Sequence, residues 1–306
     1  MNPAAAAVVL AAVSAACLGP VSVALERARW TPRAPRAAVA LWQCLGVGGA
    51  LGAAGAGLAV AVIRFHAGFF GGTTDLLHGL ANGRPLAGLG LTEALGLTLA
   101  VDICIVAVAV LAVTMGRTVR ARARHRRLLD LVGRASDRAP GAALLDHPRA
   151  TAYCVPGVRP RIAVSSGTLR LLDRHELAAV LDHERGHAQE RHGLVLLPLV
   201  SFGELFRWLP YAARAPKAVA GLLEMAADDY AARHHDPRHL ATALLQMTAG
   251  GAPPACALGL SSSALEVRVR RLLHGRRRSR PVAAAAGVAA AAAVLAPLAL
   301  LLSARG

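Results

Sequence analysis

The chain has 306 residues, is 55% hydrophobic and only 17% charged, and carries a formal net charge of +16. High apolar content with little charge excludes a disordered chain and points to membrane insertion. The positive excess is almost all arginine, clustered at residues 27 to 36, 117 to 127 and 276 to 280. Each cluster flanks a long apolar stretch, so the arginines read as topology determinants. The lipid bilayer is an expected partner and a specific nucleic acid is not.

In chain order, four segments are long enough for a hydrocarbon core, which needs about 20 apolar residues. They cover about 3 to 25, 37 to 63, 95 to 115 and 282 to 302. The last, "VAAAAGVAAAAAVLAPLALLL", is mostly alanine and inserts more weakly than the third. A cleaved signal peptide ending at "SAAC" is the alternative for the first. Its n-region "MNPAAAA" lacks a basic residue, and cleavage would leave Arg27, Arg29, Arg33 and Arg36 outside. Cys17, Cys44, Cys104, Cys154 and Cys256 form no CxxC pair and read as small apolar fillers.

Arginine placement sets the orientation. The loop after the first span is arginine-rich and cytoplasmic. Residues 64 to 94 hold only Arg64 and Arg84 and lie outside. "RTVRARARHRR" returns the chain to the cytoplasm, and "GRRRSR" precedes the last span from the same side. The reading is a cell-membrane protein with its N-terminus outside. It has a membrane domain over 1 to 116, a cytoplasmic domain over 117 to 281 and a final span within 282 to 306. Asp102 lies inside the third span, and the sequence assigns it no role.

In the cytoplasmic domain, "ATAYCV" and "RPRIAV" alternate around "PGVRP", the pattern of a β-hairpin. Its edge either holds an extended substrate by strand addition or belongs to an ordinary small sheet. "LLDRHELAAVLDHERGHAQERHG" then reads as one helix. Asp173 and Glu176 have capping-box spacing, Leu177, Val180 and Leu181 form the apolar stripe, and Gly193 is the expected stop. His183 and His187 are four apart and share a face, with Glu184 beside them. With 12 histidines in the chain, HExxH arises by chance in roughly one such sequence in a hundred. "LVLLPLVSFGELFRWLPY" follows, interrupted by Pro198, Glu204 and Arg207. It reads as a core helix, with an interfacial segment anchored by Trp208 and Tyr211 as the alternative.

A catalytic zinc site needs three protein ligands and an open position. "GLLEMAADDYAARHH" offers Glu224 as the third, with Asp228 one turn on to accept the ring N–H of a ligating histidine. His234 and His235 compete with Glu224 for that place. Surface acids are the bland reading, weakened because Glu224, Asp228 and Asp229 crowd one alanine-rich helix.

HERGH followed by EMAAD resembles the gluzincin membrane metallopeptidases with an HExxH…ExxxD pattern. Among these the chain is most similar to the BlaR/MecR antirepressor type, related to the HtpX and CAAX prenyl protease group. "RPRIAVSSGTLRLLDRHELAAVLDHERGHAQERH" carries the likeness into the approach to the zinc motif. The resemblance implies a mainly α membrane protein with about four spans and an α+β zinc-peptidase domain. It implies one Zn2+ per chain held by His183, His187 and Glu224, catalysis by Glu184 and support from Asp228. Too few residues follow the last span for an extracellular penicillin-sensing domain, so antibiotic sensing is not carried over.

The expected chemistry is peptide hydrolysis by a zinc-activated water with Glu184 as general base, acting on a protein or peptide substrate. Tyr230, His234 and His235 are candidate oxyanion donors. The rivals are a single-turnover signalling module and a metal-binding membrane scaffold.

Overall fold

The computed structural model describes residues 2–65, 68–83, 89–157, 160–249, 262–274 and 280–303. Arg84, Val158, Arg159, Cys256 and residues 275–279, all part of expectations above, lie outside the described residues.

Three stretches are helical and apolar enough to cross a membrane: Pro3–Glu26, Pro35–Ala61 and Leu91–Val132. The first is two helices, α1 (Pro3–Leu18) and α2 (Pro20–Glu26), because Gly19 ends one and Pro20 opens the next. α3 (Pro35–Ala61) follows, then α4 (Gly68–Ala81). α5 (Leu91–Val132) is one continuous helix of 42 residues. At 1.5 Å per residue it runs for about 63 Å, twice the hydrocarbon thickness. Its arginine-rich half therefore leaves the apolar zone as helix and reaches the second half of the molecule.

The sheet is small. β1 (Ala142–Leu145), β2 (Ala152–Val155) and β3 (Arg161–Ser165) stand in the order β1-β3-β2. β1 is parallel to β3, whereas β2 is antiparallel to it, with Ala152 opposite Val164. β2 is thus left as an edge.

Helices complete the chain: α6 (Ser166–Leu171), α7 (Arg174–Gln189), α8 (His192–Leu205), α9 (Pro210–Ala231), α10 (Pro237–Ala249), α11 (Ser262–Leu273) and α12 (Arg280–Ser303). Asp173 and Glu176 form the capping box at the start of α7. Its expected end at Gly193 needs correction. α7 stops at Gln189, Arg191 adopts a left-handed conformation (φ 51°), and α8 begins at His192. The reversal folds His192 back against the helix it has just left.

α3 is the centre of the apolar bundle, packed by α1, α5 and α12. Small residues permit the approach. A Cβ on Gly48 would stand 2.1 Å from the Ala293 carbonyl oxygen of α12. The apolar stretch of α12, Pro281–Pro297, is shorter than the other three.

One core cluster joins the two halves of the molecule. Cys17, Leu41, Trp42 and Leu45 from α1 and α3 pack with Leu199 of α8 and Tyr211, Val219 and Leu223 of α9. The Tyr211 hydroxyl donates to the Trp42 carbonyl at 2.9 Å. α8 therefore packs inside, while Trp208 just after it is 75% exposed. A second cluster holds Leu177, Val180 and Leu181 of α7 against the sheet, α10 and α11.

Substituting Gly48→Leu should separate α3 from α12. Forced overpacking costs about 1 to 3 kcal/mol, read as a lower melting temperature in detergent. Gly287→Leu, where a side chain meets nothing within 4 Å, should melt like wild type. Equal melting of both variants would contradict the packing.

Candidate metal centre

α7 and α9 cross with little between them. A Cβ on Gly186 would lie 2.9 Å from the Tyr230 Cβ, so glycine in HERGH lets the helices close. His183 and His187, one turn apart, then meet Glu224 of α9. The two Nε2 atoms are 3.2 Å apart. Glu224 places Oε2 at 3.5 Å from His183 Nε2 and Oε1 at 3.3 Å from His187 Nε2.

These separations test whether a metal fits. Nitrogen and oxygen atoms bound to tetrahedral zinc at 2.0 to 2.1 Å stand about 3.3 Å from each other. The separations of 3.2, 3.3 and 3.5 Å are close to the edges of such a polyhedron. Their chemistry, two imidazoles and a carboxylate, also suits zinc.

Glu224, Asp228 and Glu184 are 7%, 0% and 6% exposed. Arg268 of α11 is 6% exposed and grips Asp228 with Nε and Nη2 at 2.8 and 2.7 Å. Its Nη1 lies 3.0 Å from Glu224 Oε2. Against these acidic side chains stand one guanidinium and the His183 ring. Burial by itself would push both α9 carboxyls up. The Arg268 guanidinium and the His183 ring outweigh it, holding Glu224 well below the usual range and Asp228 at about 2.

Asp228 Oδ1 lies 2.9 Å from His183 Nδ1. The ring N–H is not aligned on it for a hydrogen bond, and His183 Nδ1 is a buried polar atom without a partner. Burial opposes charge on His183, but Asp228 and Glu224 overcome it and raise its pKa to about 10. A proton therefore competes with a metal for this ring.

Glu184 faces the opening. Burial pushes its carboxyl up, while His183 and His187 pull it down less strongly. The Cys154 backbone N–H donates to it, tying it to the edge strand β2. The Cys154 thiol is pushed up to about 12 by burial and by Glu184, so it stays protonated. A cavity of about 580 Å³ opens here, walled by His183, Glu184, His187 and Arg268, by Tyr153 and Cys154, and by Thr118 and Arg122 of α5. Leu196, Leu223, Leu244 and Met247 make the rest largely apolar.

Some expected residues lie elsewhere. Tyr230, His234 and His235 do not line this cavity. Tyr230 packs under Gly186, and His235 Nε2 and His234 Nδ1 turn to Asp182 Oδ2 at 2.9 and 3.5 Å. Asp182 precedes His183 and so points away from the ligand face. These three side chains are corrected as oxyanion donors, and the two histidines as third ligands. Arg268 takes a place the sequence reading missed. Its signal was Leu265, Arg268 and Leu272 at helical spacing, a cation set in an apolar stripe. His192 was missed too. Its Nδ1 is 2.9 Å from His187 Nδ1, and burial lowers its pKa to about 4.

Known proteins match the part of the chain that holds α7 and α9. Peptidase family M48 matches residues 118–233. A protease HtpX homologue of Thermoplasma acidophilum is 44% identical over 57 residues, 19% of this chain and 18% of that protein. The chain thus aligns with under a fifth of the relative's length. No solved structure matches. The likeness is therefore to the M48 peptidases over residues 118–233, and to a protease HtpX homologue over a shorter stretch.

Arg268→Met should invert the pH dependence of stability in metal-free protein. In wild type the depressed Asp228 carboxyl stabilises the fold above pH 3.8, its ordinary value, and that contribution fades as pH falls through about 2. Without the guanidinium, buried carboxylates go uncompensated at neutral pH, at a cost of about 3 to 5 kcal/mol. Acidification below pH 7 then relieves them, so the variant gains stability where wild type does not. Parallel unfolding profiles against pH would contradict this.

Proposed function

We propose that the protein is a membrane-anchored zinc endopeptidase with His183, His187 and Glu224 as ligands and Glu184 as general base. The observation that carries this is the convergence of two imidazole nitrogens 3.2 Å apart with the Glu224 carboxylate, whose two oxygens lie 3.3 and 3.5 Å from them, beside a buried glutamate in an open cavity. Zinc, one per chain, would supply Lewis acidity towards a peptide carbonyl and towards water.

The chain's own groups do the rest. Glu184 accepts a proton from the attacking water and returns it to the leaving amine. Burial raises its carboxyl towards the pH at which both transfers work. Asp228 orients the His183 ring, and Arg268 fixes both carboxylates of α9. Apolar walls exclude bulk water, and the free edge of β2 offers backbone groups to an extended peptide.

The proposed topology keeps the N-terminus outside and the domain of 117 to 281 in the cytoplasm, with α12 as a fourth span from 282. The arginine clusters support it. Arg36 reaches α7 and α9, while Arg122 and Arg126 donate to the Gly193 and Pro156 carbonyls. The arginine-rich ends of the apolar helices therefore meet the metal-bearing half, on one side of the bundle. These arginines serve internal contacts, which also speaks against a nucleic-acid role.

Glu184→Gln should retain stoichiometric zinc yet lose peptide hydrolysis by about 10²- to 10⁴-fold, the usual share of a general base. His183→Ala should lose the metal as well. Hydrolysis at wild-type rate in Glu184→Gln would overturn the assignment.

A further inference from the structure

We propose that Arg36, Glu190 and His192 form a positioning chain that holds His187 and ties the metal centre to the start of α3. The proposal rests on His187 being a metal ligand. None of the three residues touches the metal or the substrate.

The chain is continuous. His187 presents Nε2 to the other ligands, so its ring proton belongs on Nδ1. That Nδ1 is 2.9 Å from His192 Nδ1, with the two rings edge-on at 87°. His192 must therefore accept at Nδ1 and carry its own proton on Nε2. This nitrogen lies 3.3 Å from Glu190 Oε2. Glu190 in turn accepts from Arg36 Nε at 2.9 Å and Nη2 at 2.5 Å. Every donor faces an acceptor from the ligand to the guanidinium, so one arrangement of protons satisfies all four residues.

Arg36 also reaches the helix of the third ligand. Its Nη2 donates to the Ala226 carbonyl at 2.9 Å, and Nη1 lies 3.5 Å from Asp229 Oδ2. Ala226 and Asp229 flank the turn of α9 that follows Glu224. One guanidinium thus bridges the end of the helix that carries two ligands and the helix that carries the third. It stands on the second residue of α3, a candidate membrane span.

Backbone strain supports the same reading. Arg191, between Glu190 and His192, has φ 51° and is the non-glycine residue with positive φ among the described residues. Such a conformation persists where its surroundings over-determine it, and it collects at functional sites. Here it follows the end of α7 at Gln189 and brings His192, 4% exposed, back onto His187. A regular helix would carry His192 five residues along and off the ligand face.

Partners that orient a ligating histidine are worth about 10- to 100-fold in metal affinity. The test uses the full chain in detergent micelles, with zinc affinity measured by chelator competition and the visible spectrum of the cobalt(II)-loaded protein recorded beside it. His192→Ala and Glu190→Gln should each weaken zinc by about 10- to 100-fold and shift the cobalt bands, which report the field of His187. Arg36→Ala should weaken zinc by a smaller factor. Combined with His192→Ala its loss should be less than additive, because the route through Glu190 is already cut. Arg33→Ala removes an exposed charge from the same loop and should behave as wild type.

Wild-type affinity and spectra in both Glu190→Gln and His192→Ala would overturn the proposal. So would additive losses in the double variant, or a loss in Arg33→Ala equal to that in Arg36→Ala. Glu190→Gln changes only one oxygen to nitrogen, and it decides the matter should Arg36→Ala fail to fold. Absence of zinc from wild type is a different result and would overturn the metal-site reading itself.

Discussion

Two carboxylates buried at adjacent positions of α9 set the terms for the rest of the molecule. A carboxylate taken out of water is tolerated only when it is paired and hydrogen-bonded. Asp228 is 0% exposed and Asp229 3%, and neither is near enough to solvent to be neutralised by it. The cations come from far along the chain. Arg268 closes on Asp228 and Glu224, while Arg271 takes Asp229 at 2.7 and 2.8 Å and also donates to the Pro32 carbonyl. α11 is thereby latched to α9 by two arginines one turn apart, and the loop before α3 is latched to α11.

This compensation divides one guanidinium between Asp228 and Glu224. Fully neutral surroundings would give a dication little reason to bind. Fully uncompensated carboxylates would not fold. Arg268 satisfies Asp228 and shares Glu224, so Glu224 keeps charge for the two imidazoles it faces. The metal-bearing half is also no independent body hung from a membrane anchor. Trp42, Leu45 and Tyr211 share one core across the two halves, and Arg36 bridges from α3 to both ligand helices.

Much of the centre is legible in sequence because helical spacing is rigid. His183 and His187, Glu224 and Asp228, and the Asp173 capping box each follow from residues within five positions of one another. The apolar helices are legible for the same reason, since length and composition suffice. What stayed hidden depends on contacts between distant segments. Arg268 lies 40 residues beyond Asp228, and Arg36 lies 154 before Glu190. Arg36 belongs to a cluster whose arginine content suggests topology alone, and Arg268 lies outside all three clusters. Tyr230, His234 and His235 sit near the motif in sequence, but the close α7–α9 contact at Gly186 and the pull of Asp182 turn them from the cavity. The stop of α7 was missed because a left-handed arginine carries no compositional mark.

The central claim is that α7 and α9 present two imidazoles and one carboxylate to a single zinc ion. X-ray absorption at the zinc edge of the loaded protein tests it most directly. The account predicts a four-coordinate ion with nitrogen and oxygen neighbours at about 2.0 to 2.1 Å, and multiple scattering from two imidazole rings. A sulfur neighbour at about 2.3 Å, which would bring the Cys154 thiol into the shell, or a single imidazole, would contradict it.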